Sequence, residues 1–245
     1  AHFLEEYSDY PGFFGESRQD EDRFAQTAIE LLNIGFNMRI HAIGDGGNRV
    51  VINAFERALN ATGKDGKDVR FALEHCQVLT ADDIPRLAEL GIIASMQPLH
   101  ATEDMHFAEA RLGTERIKYA YIWRQLLDLG VVVATGTDYS VSPYNPFYTL
   151  HAAVTRQDRE NNPPGGWYPG QSMTREEALR AATMAGAYAM KAEDVLGSIE
   201  TGKLADFVVI PVDYMTVPVE DIWKIEPDMT VIGGDVVYTK PVRAR

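Results

Sequence analysis

Through its first two thirds the chain alternates short apolar runs with stretches whose apolar residues recur every three or four positions, the spacing of one helix face. Residues 1–19, rich in Tyr, Gly, Ser and acids, read as loop. DEDRFAQTAIELLNI (20–34) reads as a helix with acids in its first turn and Gly35 at its end. MRIHAIG (38–44) is strand-like and GNRVVINAFERALNATG (47–63) helical. FALEHC (71–76) predicts a strand, and TADDIPRLAELG (80–91) a helix with Thr80 as N-cap and Asp83 at the capping-box position. IIASMQP (92–98) predicts a strand and, after a loop, TERIKYAYIWRQLLDLG (114–130) a helix. VVVATGTD (131–138) has the β-branched start of a strand buried on both faces, and NPFYTLHAAVTRQ (145–157) is helical again. These are four strand–helix units of roughly 30 residues, the size of parallel βαβ construction. Right-handed crossovers would bring all four strand ends to one rim, where α/β folds place their chemistry.

After Gln157 the rhythm breaks. RENNPPGGWYPGQS (159–172) is a Pro/Gly loop, and MTREEALRAATMAGAYAM (173–190) predicts one helix capped by Thr174 with Glu177 three residues on. FVVIP, MTVIG and DVVYTK are short strand candidates, with a hairpin turn at Gly233-Gly234.

Composition narrows the function classes. The apolar fraction of 45% is that of a globular protein, and no run approaches the ~18 apolar residues of a membrane span. A net charge of -13 argues against binding nucleic acid, which needs clustered Lys and Arg. The single cysteine, Cys76, rules out an intramolecular disulfide framework and suits a reducing, cytoplasmic setting.

Three of the four strands end in a residue able to ligate a metal: His41, His75 and Asp138. The fourth ends in Gln97-Pro98, with His100 just beyond. Each residue alone has a plainer reading. A strand-end histidine is usually structural, Asp138 fits the N-cap of a turn, and Glu74 fits a pair with Arg70 or no partner. The conjunction of two imidazoles and a carboxylate at equivalent places points instead to a borderline ion such as zinc. Gly44-Asp45-Gly46-Gly47 is not the glycine run of a dinucleotide site and reads as a tight strand-to-helix turn.

HAIGD, LEHCQVLTADDIPRLAELGIIASMQPLHATEDM, GTDYSVSPYNPFYTLHAAVTRQ, GGWYPGQSMTREEAL and GSIETGKLADFVVI follow in an order that resembles the C-terminal half of the amidohydrolase superfamily. The nearest branch is the amidohydrolase-3 group, with its N-substituted formamide deformylase-like proteins. The resemblance implies the second half of a TIM-type (β/α)8 barrel over residues 1–190. Residues 191–245 would be a C-terminal β segment of a small sandwich. It implies His41, His75 and Asp138 as metal ligands, with Asp138 also shuttling protons, and a divalent ion, zinc foremost. Gln97 and His100 would shape the substrate pocket. Trp167 and Tyr168 would do the same, or simply pack their loop.

The family's His-x-His pair and bridging lysine have no counterpart here, and four units stand where a closed barrel needs eight. The expectation is therefore a hydrolase of non-peptide C–N bonds in amides or formamides, acting through metal-activated water but incomplete as this chain. The alternative is a non-catalytic fragment or regulatory module that keeps the fold. Expected partners are a small-molecule amide and either a second copy or the missing N-terminal half, with neither nucleic acid nor membrane.

Overall fold

The computed structural model describes residues 1–17 and 20–241. The loop expected at positions 18 and 19 and the last four residues of the expected C-terminal segment lie outside the described residues. Helix α1 (Glu21–Asn33) starts where the Asp20 carboxylate accepts from the Arg23 N–H at 2.7 Å. Then follow β1 (Arg39–Ala42), α2 (Asp45–Thr62), the single turn α3 (Gly66–Val69), β2 (Ala72–His75), α4 (Ile84–Glu89) and β3 (Ile93–Met96). Next come α5 (Pro98–Asp104), α6 (Ala108–Arg116), α7 (Trp123–Asp128), β4 (Val133–Thr135), α8 (Pro146–Thr155), α9 (Arg175–Ala182) and α10 (Met184–Ala189). The chain closes with β5 (Phe207–Val209), β6 (Met229–Ile232) and β7 (Asp235–Thr239).

The first four strands form one parallel sheet in the order β1-β2-β3-β4, as the alternation predicts. Period-2 alternation splits each strand between two faces. Ile40, Leu73, Ala94 and Val133 lie on the buried face, beneath a core that includes Phe55 stacked on Phe71 at 4.2 Å. Register places His41, Glu74, Ser95 and Ala134 in one row across the other face. At its β1 end this face is open, for Arg39 and His41 are exposed. The sheet is not bare throughout, however. Ala72, Ile93 and Ala134 are buried with Ala189, and Ala185 and Tyr188 pack against them. The Arg39 guanidinium donates to the Ala189 carbonyl, and Arg70 donates to the Tyr188 carbonyl at 2.7 Å while lying 3.8 Å over the Tyr188 ring. Arg70 therefore pairs with Glu193, not with Glu74.

Several sequence expectations change. The loop expected between 98 and 114 carries α5 and α6, and the helix expected from Thr80 starts only at Ile84, with Asp83 at its N-cap. The helix expected over 114–130 is broken. Ile117–Tyr119 tightens to a 3-10 turn, and Tyr121, at φ 54, gives its N–H to the Gln77 carbonyl at 2.7 Å. A tertiary hydrogen bond has won over local helix propensity. The helix expected over 173–190 keeps its Thr174–Glu177 capping box but breaks at Thr183, giving α9 and then α10. The strand expected over 131–138 is only Val133–Thr135, so Asp138 stands in the following turn. The last three strands form an antiparallel sheet, order β5-β6-β7, with Gly233 and Gly234 at φ 60 and 89 in the hairpin turn. Cys76 is fully buried, and burial pushes its thiol up to about 12. No helix among the described residues is long and apolar enough to cross a membrane.

Candidate metal centre

The rim beyond the sheet is assembled by local backbone exceptions. His41 follows the strand rule: it alternates with buried Ile40 and Ala42 and faces the open side. His75 does not. It shares parity with Leu73, which would send it to the buried face, but its backbone is left-handed at φ 76. For a non-glycine residue that conformation is uncommon, and it persists only where surrounding contacts hold it. The contacts are visible. The Cys76 N–H donates to the Ala42 carbonyl and the Val78 N–H to the Ile43 carbonyl, both at 3.0 Å. Asn48, wholly buried, donates from Nδ2 to the Val78 carbonyl at 2.9 Å and to the Gly44 carbonyl at 3.1 Å. Asp138 is likewise left-handed, at φ 54, and its carbonyl accepts from the Val141 N–H at 2.7 Å.

These exceptions bring His41, His75, His100 and Asp138 together. His41 Nδ1 and His75 Nε2 lie 2.8 Å apart, with ring centroids at 3.9 Å. Asp138 Oδ2 is 4.0 Å from His75 Nε2 and 3.9 Å from His100 Nε2. The His75 and His100 rings lie nearly parallel, 16° apart in plane and 5.7 Å between centroids. Among the described residues, His75, His100 and Asp138 form a set whose donor atoms all lie within 4.8 Å of one another. His41 joins through His75 and is not one of those three.

Electrostatics keeps His75 a neutral base. Burial, reinforced by the facing His41 imidazole, pushes its pKa down to about 4, against the opposing pull of Asp138. A neutral imidazole is the form that ligates. Two imidazoles and one carboxylate are a zinc-type donor set. His100 Nε2 is buried with no hydrogen-bond partner among the described residues, and an orphaned polar atom of that kind carries a desolvation cost that a ligand would relieve. On chemistry and on unmet bonding capacity the residues fit a divalent ion.

The remaining expected residues divide. Gln97 is buried at the end of β3, where its Nε2 donates to Glu74 Oε1 at 2.7 Å. Ser95 Oγ donates to the same Glu74 oxygen at 3.0 Å. Trp167 and Tyr168 pack on each other at 5.2 Å, and Trp167 lies against Tyr121 and Arg156, as the loop-packing reading expects. Sequence reading passed over Tyr121, whose hydroxyl donates to Asp104 and accepts from Gln77 Nε2 at 2.9 Å. No local pattern marks that trio. Only Gln77, two residues after His75, had a positional signal.

Comparison with known proteins gives the same picture. The model of the amidohydrolase family matches residues 1–238. Protein LONG AFTER FAR-RED 3 of Arabidopsis thaliana is 32% identical over 242 residues, 97% of this chain and 40% of that protein. N-substituted formamide deformylase of Arthrobacter pascens is 26% identical over 220 residues, 87% of this chain and 38% of that enzyme. The crystal structure of an uncharacterized metal-dependent hydrolase from Pyrococcus furiosus superposes with a TM-score of 0.76 at 29% identity, covering 88% of this chain and 42% of that one. The chain thus spans about two fifths of the length of these curated relatives. Its parallel sheet, its rim of histidines and aspartate, and the family match over nearly all its residues agree: this chain belongs to the amidohydrolase family.

Proposed function

We propose that this chain carries half of a divalent-metal-dependent hydrolase acting on non-peptide C–N bonds of small amides or formamides, with zinc as the foremost ion and the cytoplasm as its setting. The observation that carries the reading is the meeting of His75 and Asp138 at 4.0 Å, with His41 at 2.8 Å from His75, across positions far apart in sequence. The named activity of the deformylase relative supports the bond type. A bound ion would lower the pKa of a water molecule to roughly 7 and polarise a carbonyl oxygen.

The chain's own residues do the rest. His41 and His75 hold the ion's side of the mouth, and burial keeps His75 unprotonated for that task. Asp138, on a loop with its side chain 37% exposed, can reach both ion and solvent. Its carboxylate takes the proton of the attacking water and delivers it to the departing nitrogen. Gln97, anchored by its bond to Glu74, borders the substrate side. The test is metal content of the purified chain followed by a panel of amides and formamides. We expect about one ion per chain, lost in His75→Ala, and hydrolysis that depends on the ion. Bound metal with no turnover across the panel would favour a non-catalytic module, and an unchanged ion content in His75→Ala would remove the site.

The same reading supplies a partner for the sheet. β1 and β4 are each paired on one side only, and a groove of about 840 Å³ bordered by Arg23, Phe24, Met38 and Val50 runs beside β1. Unpaired strand edges recruit other strands. A second copy, or the remainder of a longer polypeptide, would complete the barrel. Light scattering of this chain alone is expected to show self-association, and a stable monomer that binds no apolar dye contradicts the proposal.

A further inference from the structure

We infer that the loop after β4 sets substrate choice, with Tyr139, Val141 and Tyr144 receiving an uncharged apolar group carried on the amide nitrogen. The inference rests on the hydrolase reading, which names the bond broken and leaves open what hangs from the nitrogen.

Tyr139, Val141 and Tyr144 are 71%, 73% and 76% exposed. Single exposed apolar residues are ordinary, but these three fall within six positions. The Tyr139 and Tyr144 rings meet edge to face, 5.7 Å between centroids and 85° between planes. That is a preferred aromatic geometry, and it makes an angled apolar wall. The stretch 139–155 contains no Asp, Glu, Lys or Arg, in a chain of which 24% is charged. Contiguous exposed apolar surface of this kind marks a binding site.

The loop is held in place at three points. The Val141 N–H donates to the Asp138 carbonyl at 2.7 Å. Ser142 is buried, and its Oγ donates to Glu103 Oε2 at 2.6 Å. Asn145 Oδ1 accepts from the Phe147 N–H at 3.0 Å where α8 begins. Apolar groups on a free loop would fold back out of water; these are fixed outward. Such rings bury large area at low entropic cost when a ligand arrives.

The same anchors place the loop beside the rim. It starts at Asp138, and its middle is tied to Glu103, one turn along α5 from His100. His100 Nε2 in turn lies 3.9 Å from Asp138 Oδ2. In the hydrolase reading Asp138 delivers the proton to the departing nitrogen. The group on that nitrogen therefore lies beside Asp138, within reach of the residues that follow it. The loop offers no cation to a carboxylate and no anion to an amine, so a charged substituent would lose water there without a partner. An alkyl chain or a ring loses nothing and buries its surface against the tyrosines.

The experiment compares N-methylformamide, N-hexylformamide, N-(2-phenylethyl)formamide and N-formylglycine as substrates of the assembled enzyme. The two large apolar substrates are expected to exceed N-methylformamide in kcat/KM by about tenfold or more, with N-formylglycine the poorest. In Tyr139→Ala and in Tyr144→Ala the phenylethyl-to-methyl ratio of kcat/KM should fall about tenfold, and Tyr139→Leu, which keeps apolar bulk, should recover part of it. A readout free of turnover uses protein labelled with 3-fluorotyrosine, its signals assigned through Tyr139→Phe and Tyr144→Phe. N-(2-phenylethyl)urea should shift both signals, and N-methylurea should shift neither. Those shifts without hydrolysis of any formamide would uphold the wall and remove the hydrolase reading. Hydrolysis with the ratio within about twofold of wild type in both alanine variants would overturn the wall and leave the hydrolase reading standing. An unchanged ratio accompanied by weaker self-association in light scattering would assign the patch to a second copy and overturn the proposal as well. Neither hydrolysis nor shifts would overturn both.

Discussion

Asp138→Asn is expected to abolish most hydrolysis by this chain or by the barrel it completes, and to weaken ion binding at the same time. The substitution keeps size and shape but removes the negative charge and the proton-accepting oxygen. General acid–base help of this kind contributes about 10²–10⁴-fold, so turnover should fall by that factor. A neutral amide is also a poorer ligand for a zinc-type ion than a carboxylate. Both losses have one structural source. Asp138 Oδ2 stands 4.0 Å from His75 Nε2 and 3.9 Å from His100 Nε2, on a left-handed turn that presents it to the rim. Rate measurements at saturating ion separate the effects, because excess ion repairs a binding defect but not a missing proton acceptor. Turnover within a factor of about two of wild type at saturating ion would show that the proton passes through another group.

The largest stability effect is expected at Arg156, the C-cap residue of α8. Its side chain is wholly buried, with no carboxylate partner among the described residues. Nη1 donates to the Tyr121 carbonyl at 2.9 Å, Nε donates to the Trp167 carbonyl, and the guanidinium lies 4.3 Å from the centroid of the Trp123 ring. Burial pushes its pKa down, but only to about 10, so the group stays charged at neutral pH. It joins the end of α8, the Tyr121 turn and the 159–172 loop. Arg156→Ala would strand two carbonyls and leave a cavity, costs of about 1–3 kcal/mol for each stranded group with the cavity added. Removing an unneutralised buried charge returns part of its desolvation cost. The net expectation is a loss of about 3 kcal/mol, read as a lower urea midpoint, with earlier proteolysis inside the 159–172 loop. A loss under about 1 kcal/mol would mean the charge costs nearly as much as its bonds return.

The two residues differ in how they could be read. Asp138 ends an apolar run, and His41 and His75 end similar runs, so topology alone brings their chain segments to one rim, and left-handed backbone at His75 and Asp138 then brings the side chains together. Arg156 sits in a helix pattern followed by a Pro/Gly loop, and nothing nearby in sequence announces the rings that enclose it. The break of the expected 114–130 helix at Tyr121 has the same character. Its segment is a good local helix, and bonds to the Gln77 carbonyl, the Asp104 carboxylate and the Arg156 guanidinium, all outside the segment, turn it.

Strand–helix alternation, the parallel order of β1 to β4, the Thr174 cap, the Gly233–Gly234 hairpin and the placing of the segments that carry His41, His75 and Asp138 at one rim all follow from local periodicity and the connection rules of βα units. These are set by side-chain spacing and backbone sterics, which a sequence displays directly. The tertiary structure alone decided that His75 turns left-handed toward His41, that α10 breaks away to cover part of the sheet, and that Glu103 and Asp104 tie α5 to the loops after β4 and β2, with His100 3.9 Å from Asp138. Each depends on hydrogen bonds or packing between residues distant along the chain. Such contacts form only after the elements have packed, and no short-range pattern encodes them.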